Sequence, residues 1–166
     1  MAIDGIRSPF LFTGVMRQAI HQLKYRNLRA LAPSMSRMLA DYLAGNPMPA
    51  GVLVPVPLHP RRLRERGYNQ SSLLARELGK ITGLAVIEDC LVRQGHTVPQ
   101  ARTSSLAERR LNMEGAFTCR NGRLGGKQVL LIDDVATSGA TLNACAVAVK
   151  AAGAESVWGL AVSREI

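Results

Sequence analysis

The order of apolar and polar residues divides the chain into alternating helical and extended stretches. Val15, Ala19, Ile20 and Leu23 recur at helical spacing and predict an amphipathic helix over 15–24. Leu31, Met35, Met38, Leu39 and Tyr42 do the same over 31–43. Pro33 sits in the first turn, where its missing N–H costs little, and Gly45, Asn46 and Pro47 form a stop. The apolar run at 51–55 reads as a buried strand, and the proline- and arginine-rich residues 56–68 read as a loop. Asn69 is placed to cap a helix over 70–81 with Leu73, Leu74 and Leu78 inward. Residues 85–92 form a candidate strand, 93–105 a polar loop, 106–113 a short helix and 115–119 a short strand. A glycine-rich turn at 121–126 leads into the strongest strand, 129–132. A helix over 138–152, ended by Gly153, and a strand over 156–162 follow. Strands alternating with helices predict an α/β fold with a central, mainly parallel sheet flanked by helices.

Composition narrows the class. With 47% hydrophobic residues in 166, the chain can bury a core as one globular domain. Its apolar runs are too short to span a bilayer, and residues 1–14 lack a signal-peptide pattern, so a cytoplasmic location is expected. Cys90, Cys119 and Cys145 are far apart and His21, His59 and His96 are scattered. Buried free thiols and no structural metal are therefore expected. The net charge of +9 asks for an anionic partner. Arg61, Arg62, Arg64 and Arg66 crowd one stretch beside His59, and Lys24, Arg26 and Arg29 form a second group. Aromatic residues are only 4%, few for stacking single-stranded nucleic acid.

The densest chemistry lies in VLLIDDVATSGAT, residues 129–141. Four apolar residues make a buried strand, and Asp133 and Asp134 stand at its carboxyl end, where α/β sheets bind ligands. Thr137, Ser138 and Thr141 offer hydroxyls. Ala136 and Gly139 let backbone N–H groups approach closely, and the helix that follows aims its positive end at the same spot. That arrangement suits a phosphate monoester. Two acids beside a phosphate make sense only if they face sugar hydroxyls or a magnesium ion. A monophosphate next to a diol describes a ribose 5-phosphate. The glycines at 122, 125 and 126 precede a strand and lack nucleotide-loop spacing, so they carry no such site.

The thirteen residues resemble the phosphoribosyl pyrophosphate motif of type I phosphoribosyltransferases, with Ala140 where glycine is common. The stretch PVPLHPRRLRERGYNQ, residues 55–70, is similar to the signature of the ComF family, which shares that fold. Arg17, Ile20, Leu23, Lys24 and Tyr25 extend the likeness, as do Gln100, Leu106, Glu108, Arg109, Asn112 and Phe117. The resemblance implies the type I phosphoribosyltransferase fold with a flexible hood loop over 93–112. It also implies roles. Asp133 and Asp134 would hold the ribose hydroxyls or magnesium, and Val135, Ala136, Thr137, Ser138, Gly139, Ala140 and Thr141 the 5-phosphate. Leu58, His59, Arg61, Arg66 and Gly67 would hold the pyrophosphate, with a non-proline cis peptide near Leu58. Arg102 and Arg109, with Gln100, would reach over the site from the hood.

Family members begin with a cysteine-rich zinc module. This chain starts after the point where that module would end, so a single domain over 1–166 is expected. The implied activity is transfer of phosphoribose to a nitrogenous acceptor, with magnesium. The alternative is a ligand-sensing module that binds single-stranded DNA in natural transformation. A homodimer stays open. A hydrolase with Asp133 as nucleophile fits poorly, because the second acid expected two residues on is Val135.

Overall fold

The structure, a computed structural model, describes residues 1–26, 29–94, 115–120 and 122–166. In chain order the described elements are β1 (Gly5–Arg7), β2 (Phe10–Leu11), α1 (Gly14–Tyr25), α2 (Leu31–Gly45), β3 (Val52–Pro55), α3 (Pro60–Arg66), α4 (Gln70–Thr82), β4 (Ala85–Val86), β5 (Leu91–Arg93), β6 (Phe117–Cys119), β7 (Gln128–Ala136), α5 (Ala140–Ala151) and β8 (Ser156–Arg164). The main sheet runs β1-β8-β7-β3-β4, with β2 also on β8, and its pairings are all parallel. β5 and β6 form a separate antiparallel ribbon.

The central strands are apolar on both faces, as a covered parallel sheet requires. All four residues of β3 are buried, as are Val129, Leu130, Leu131 and Ile132 of β7. Two cores result. On one face Leu53, Leu130, Ile132 and Leu160 pack with Ile20 and Leu23 of α1, Met35 and Leu39 of α2, and Leu74 and Leu78 of α4. On the other, Val129, Leu131 and Val157 pack with Leu142, Cys145 and Val149 of α5 and with Leu91 and Phe117 of the ribbon. Among the described residues no helix is long and apolar enough to cross a membrane.

Several sequence expectations change. Residues 60–66, expected as loop, form α3. Pro60 occupies its first turn, the His59 side chain accepts from Arg61 N at 3.1 Å, and Gly67 ends it at φ 85°. The Arg61–Glu65 pair, one turn apart, adds support. The single strand expected over 85–92 splits into β4 and β5, in different sheets. Between them Glu88 and Asp89 are both exposed, which breaks the alternation a strand needs. β7 runs four residues past Ile132, because β8 pairs with it as far as Ala136 and Arg164. α5 starts at Ala140, two residues late, since Gly139 takes a left-handed conformation that a helix cannot include. β1 and β2 have too few residues to show a period. The helix expected over 106–113 lies outside the described residues.

Candidate functional site

The carboxyl ends of β3, β7 and β8 open onto one cleft of about 370 Å³. It is lined by Val56, Pro57 and Leu58 after β3, by Asp133, Asp134, Val135, Thr137 and Thr141, by Glu165 after β8 and by Phe12 after β2. Four cationic or amide side chains join them, namely Lys24, Arg62, Gln70 and Arg93, together with Ser71. Position follows from topology. α4 returns from the β3 loop, and Asn69 ties the two by donating to Val56 O at 3.0 Å while its Oδ1 accepts from Ser71 N. The first turn of α4 thereby reaches the two acids.

The acids are held differently. Asp134 is 3% exposed, and its Oδ2 lies 3.1 Å from Lys24 Nζ and accepts from Gln70 Nε2 at 3.4 Å. Its other oxygen accepts from Val135 N at 2.8 Å. A buried carboxylate needs such partners. Asp133 is half-buried, and one oxygen accepts from Ser71 Oγ at 3.2 Å and from Asp134 N at 2.8 Å. Among the described residues no cation is paired with it. Burial first, then the charge of Asp134, push its carboxyl well above the ordinary range, with Lys24 opposing. Among the described residues Asp133 thus has hydrogen-bond donors and no ion pair.

The loop that follows is open to an anion. Thr137 and Ser138 are exposed, and Gly139 at φ 82° turns the chain into α5. No side chain caps this helix, although Ser138 Oγ accepts from Ala140 N at 3.3 Å. A Cβ on Gly139 would lie 2.9 Å from Ile6 Cδ1, so β1 presses on the turn from behind. Ala136 is buried, and its carbonyl is taken by Glu165 N.

Across the cleft stand two guanidinium groups. Arg93 Nε is buried and finds no acceptor among the described residues. Its ring partner is Phe117, 5.5 Å away. Burial, then the charge of Arg62, pull its pKa down. Two cations lining one cleft, near enough for the charge of one to act on the other, mark a place for a polyanion.

The sequence-expected residues divide accordingly. Leu58, Asp133, Asp134, Val135, Thr137 and Thr141 line the cleft together. Arg61 does not line it, and pairs with exposed Glu65. His59 caps α3. Gly67 spends its N–H on Leu63 O, so that group is not aimed at a ligand. Arg66 donates to Gln70 Oε1 and stacks over Tyr25, in a neighbouring cavity. The peptide before His59 is trans, since the described chain has no cis bond. Gln100, Arg102 and Arg109 lie outside the described residues. Lys24, Arg62, Gln70, Ser71 and Arg93 were not anticipated as lining residues. For Arg62 the signal was helix phase: once 60–66 is a helix, 61 and 65 share one side and 62 and 66 another.

No protein-family model matches the chain. It is 36% identical over 113 residues to competence protein F of Haemophilus influenzae, covering 66% of this chain and 49% of that protein. It is 30% identical over 144 residues to competence protein ComFC of Bacillus subtilis, covering 82% and 54%. It is 32% identical over 129 residues to DNA utilization protein YhgH of Escherichia coli K12, covering 74% and 56%. The chain therefore spans about half the length of these relatives. Among solved structures, the glutamine phosphoribosylpyrophosphate amidotransferase of B. subtilis superposes with a TM-score of 0.54 at 21% identity, over 79% of this chain and 26% of that one. The allosteric regulatory enzyme of purine biosynthesis gives 0.52 at 21%, over 79% and 25%. Those two likenesses speak to the fold. Taken with the relatives, they place this chain in the ComF family, on a type I phosphoribosyltransferase fold.

Proposed function

We propose that the cleft binds phosphoribosyl pyrophosphate with magnesium and that the protein is a phosphoribosyltransferase. The observation that carries this reading is one wall of the cleft: an uncapped helix start beside Thr137 and Thr141, immediately after two adjacent carboxylates. The amides and hydroxyls of 137–141 grip the 5-phosphate. That grip supplies binding energy remote from the reacting bond. Asp133 accepts from the ribose hydroxyls, alongside its bonds from Ser71 Oγ and Asp134 N. Arg62 and Arg93 take the pyrophosphate, in place of the Arg61 and Arg66 expected from sequence.

The donor set fits magnesium. The ion is held by one or two carboxylates plus substrate oxygens and water, with no need for a protein cage. Among the described residues no group of three or more potential metal ligands exists, and the two acids suffice for that mode. Asp133 and Asp134 would hold it, and it would neutralise charge on the leaving pyrophosphate. In the transfer the bond from the anomeric carbon to the pyrophosphate oxygen breaks, its electron pair leaves with pyrophosphate, and an acceptor nitrogen forms the new bond with its lone pair and gives up its proton to water. The carboxylates favour the positive charge that develops on the sugar.

A second reading keeps the binding and drops the turnover. It is favoured by the net charge of +9 and by relatives named for competence and DNA utilization. Here the chain senses the ligand and contacts single-stranded DNA through its basic surface. Calorimetry with phosphoribosyl pyrophosphate and magnesium tests the shared part: binding is expected for wild type and lost, by about 100-fold, in Asp133→Ala plus Thr141→Val, which removes two charge-assisted or phosphate contacts. Equal binding by both proteins removes the assigned site. Pyrophosphate release with a panel of bases then decides between enzyme and sensor.

A further inference from the structure

A second cavity, of about 390 Å³, adjoins the cleft and shares Lys24 and Arg62 with it. Its other lining residues are Tyr25, Tyr68, Glu65 and Arg66. Two of the three tyrosines in the entire sequence stand here. Tyr25 is 62% exposed, at the mouth, with the Arg66 guanidinium 5.5 Å from its ring centroid and the His21 ring tilted against it at 4.7 Å. Tyr68 is buried at the back, its hydroxyl donating to Leu23 O and its ring carrying Arg29 at 4.6 Å. The rear is therefore fixed, while the front offers a planar aromatic face beside a planar cation. The shared wall adds two further positive side chains. Glu65, held by Arg61 at 3.3 Å, supplies an acceptor at the rim.

We propose that this cavity binds a nucleoside monophosphate, with the base on Tyr25 and Arg66 and the phosphate at Arg62 and Lys24. Stacking suits a base without demanding one sequence of donors, and Tyr25, 62% exposed beside Arg66 and His21, leaves ring surface for it. Glu65 accepts from an exocyclic amine or a ribose hydroxyl. The shared residues give a consequence for the first cleft. Lys24 neutralises buried Asp134, and Arg62 faces the pyrophosphate end, so an anion in the second cavity draws on the same cations. The two ligands then antagonise one another, reciprocally. The coupling rests on the proposed function, and the nucleotide site does not.

Calorimetry on the full chain with GMP, and with AMP, CMP and UMP in parallel, is the test. At least one is expected to bind wild type, to weaken about tenfold in Tyr25→Ala, the size of one lost base–aromatic stack, and to be restored by Tyr25→Phe. Phosphoribosyl pyrophosphate should bind Tyr25→Ala as it binds wild type. Its affinity should drop about fivefold when the nucleotide saturates. A nucleotide seated in the 137–141 loop would weaken with Thr141→Val and not with Tyr25→Ala, which overturns the inference. So does failure of all four to bind. If the nucleotide binds through Tyr25 while phosphoribosyl pyrophosphate does not bind at all, the proposed function falls and the second site stands without its coupling.

Discussion

Two neighbouring aspartates live in unlike surroundings. Asp134 has Lys24 and Gln70, and Asp133, among the described residues, has Ser71 Oγ and a backbone amide. Burial and the adjacent negative charge raise the Asp133 carboxyl above its unfolded value, so the folded protein keeps that proton to higher pH than the unfolded chain does. Below about pH 4, the usual carboxylate range, both states are protonated and the contribution is complete. As pH rises toward the folded value, the unfolded chain binds fewer protons and stability falls. Urea unfolding of the ligand-free protein between about pH 4 and 7 should show that decline, and Asp133→Asn should flatten it. A variant whose pH profile parallels wild type would mean that Asp133 titrates normally. The carboxylates themselves were legible from sequence, because two acids following four apolar residues are unusual. Their ranking was not, because Lys24 is separated from Asp134 by 110 residues and only packing of α1 on the sheet brings them together.

Elements here are set by their ends. α3, α4 and α5 begin or stop at His59, Gly67, Asn69, Gly83 and Gly139, and all but His59 are residue types whose preference for such positions is readable in advance. Gly83 and Gly139 share a positive φ yet sit in different company. A Cβ at Gly83 meets nothing within 4 Å, whereas one at Gly139 meets Ile6. Gly83→Ala should therefore cost about 1 kcal/mol, the backbone term alone, with ligand affinity unchanged. Gly139→Ala should cost about 2 kcal/mol or more and weaken phosphoribosyl pyrophosphate binding, since the phosphate turn itself must shift. Paired thermal unfolding and calorimetry would check both, and equal effects of the two substitutions would show that β1 does not support the loop. The loop expected at 56–68 failed at this scale for a definite reason. Arginines carry no hydrophobic period, so a helix that buries none of its residues has no face to announce it.

At the scale of the molecule the sheet divides two cores and opens its carboxyl edge, at the ends of β3, β7 and β8, onto the cleft. Three cations, Lys24, Arg62 and Arg93, line that edge. Affinity for phosphoribosyl pyrophosphate should consequently fall about fivefold or more between about 50 and 500 mM salt, as screening shortens below the width of the cleft. An affinity indifferent to salt would mean that the charge serves something else. The linear sequence by itself determined the strand–acid–turn–helix unit at 129–141, the parallel α/β class and the family, because each depends on local spacing or on a contiguous run of residue types. Tertiary structure alone decided which cations enter the cleft. It brought Lys24, Arg62 and Arg93 from three separate elements to one edge, sent Arg61 outward and Arg66 to the cavity next door, and paired Lys24 with Asp134 rather than Asp133. Charge carries no periodic signature, so the destination of a lysine or arginine is fixed by what packs around it rather than by its neighbours in the chain.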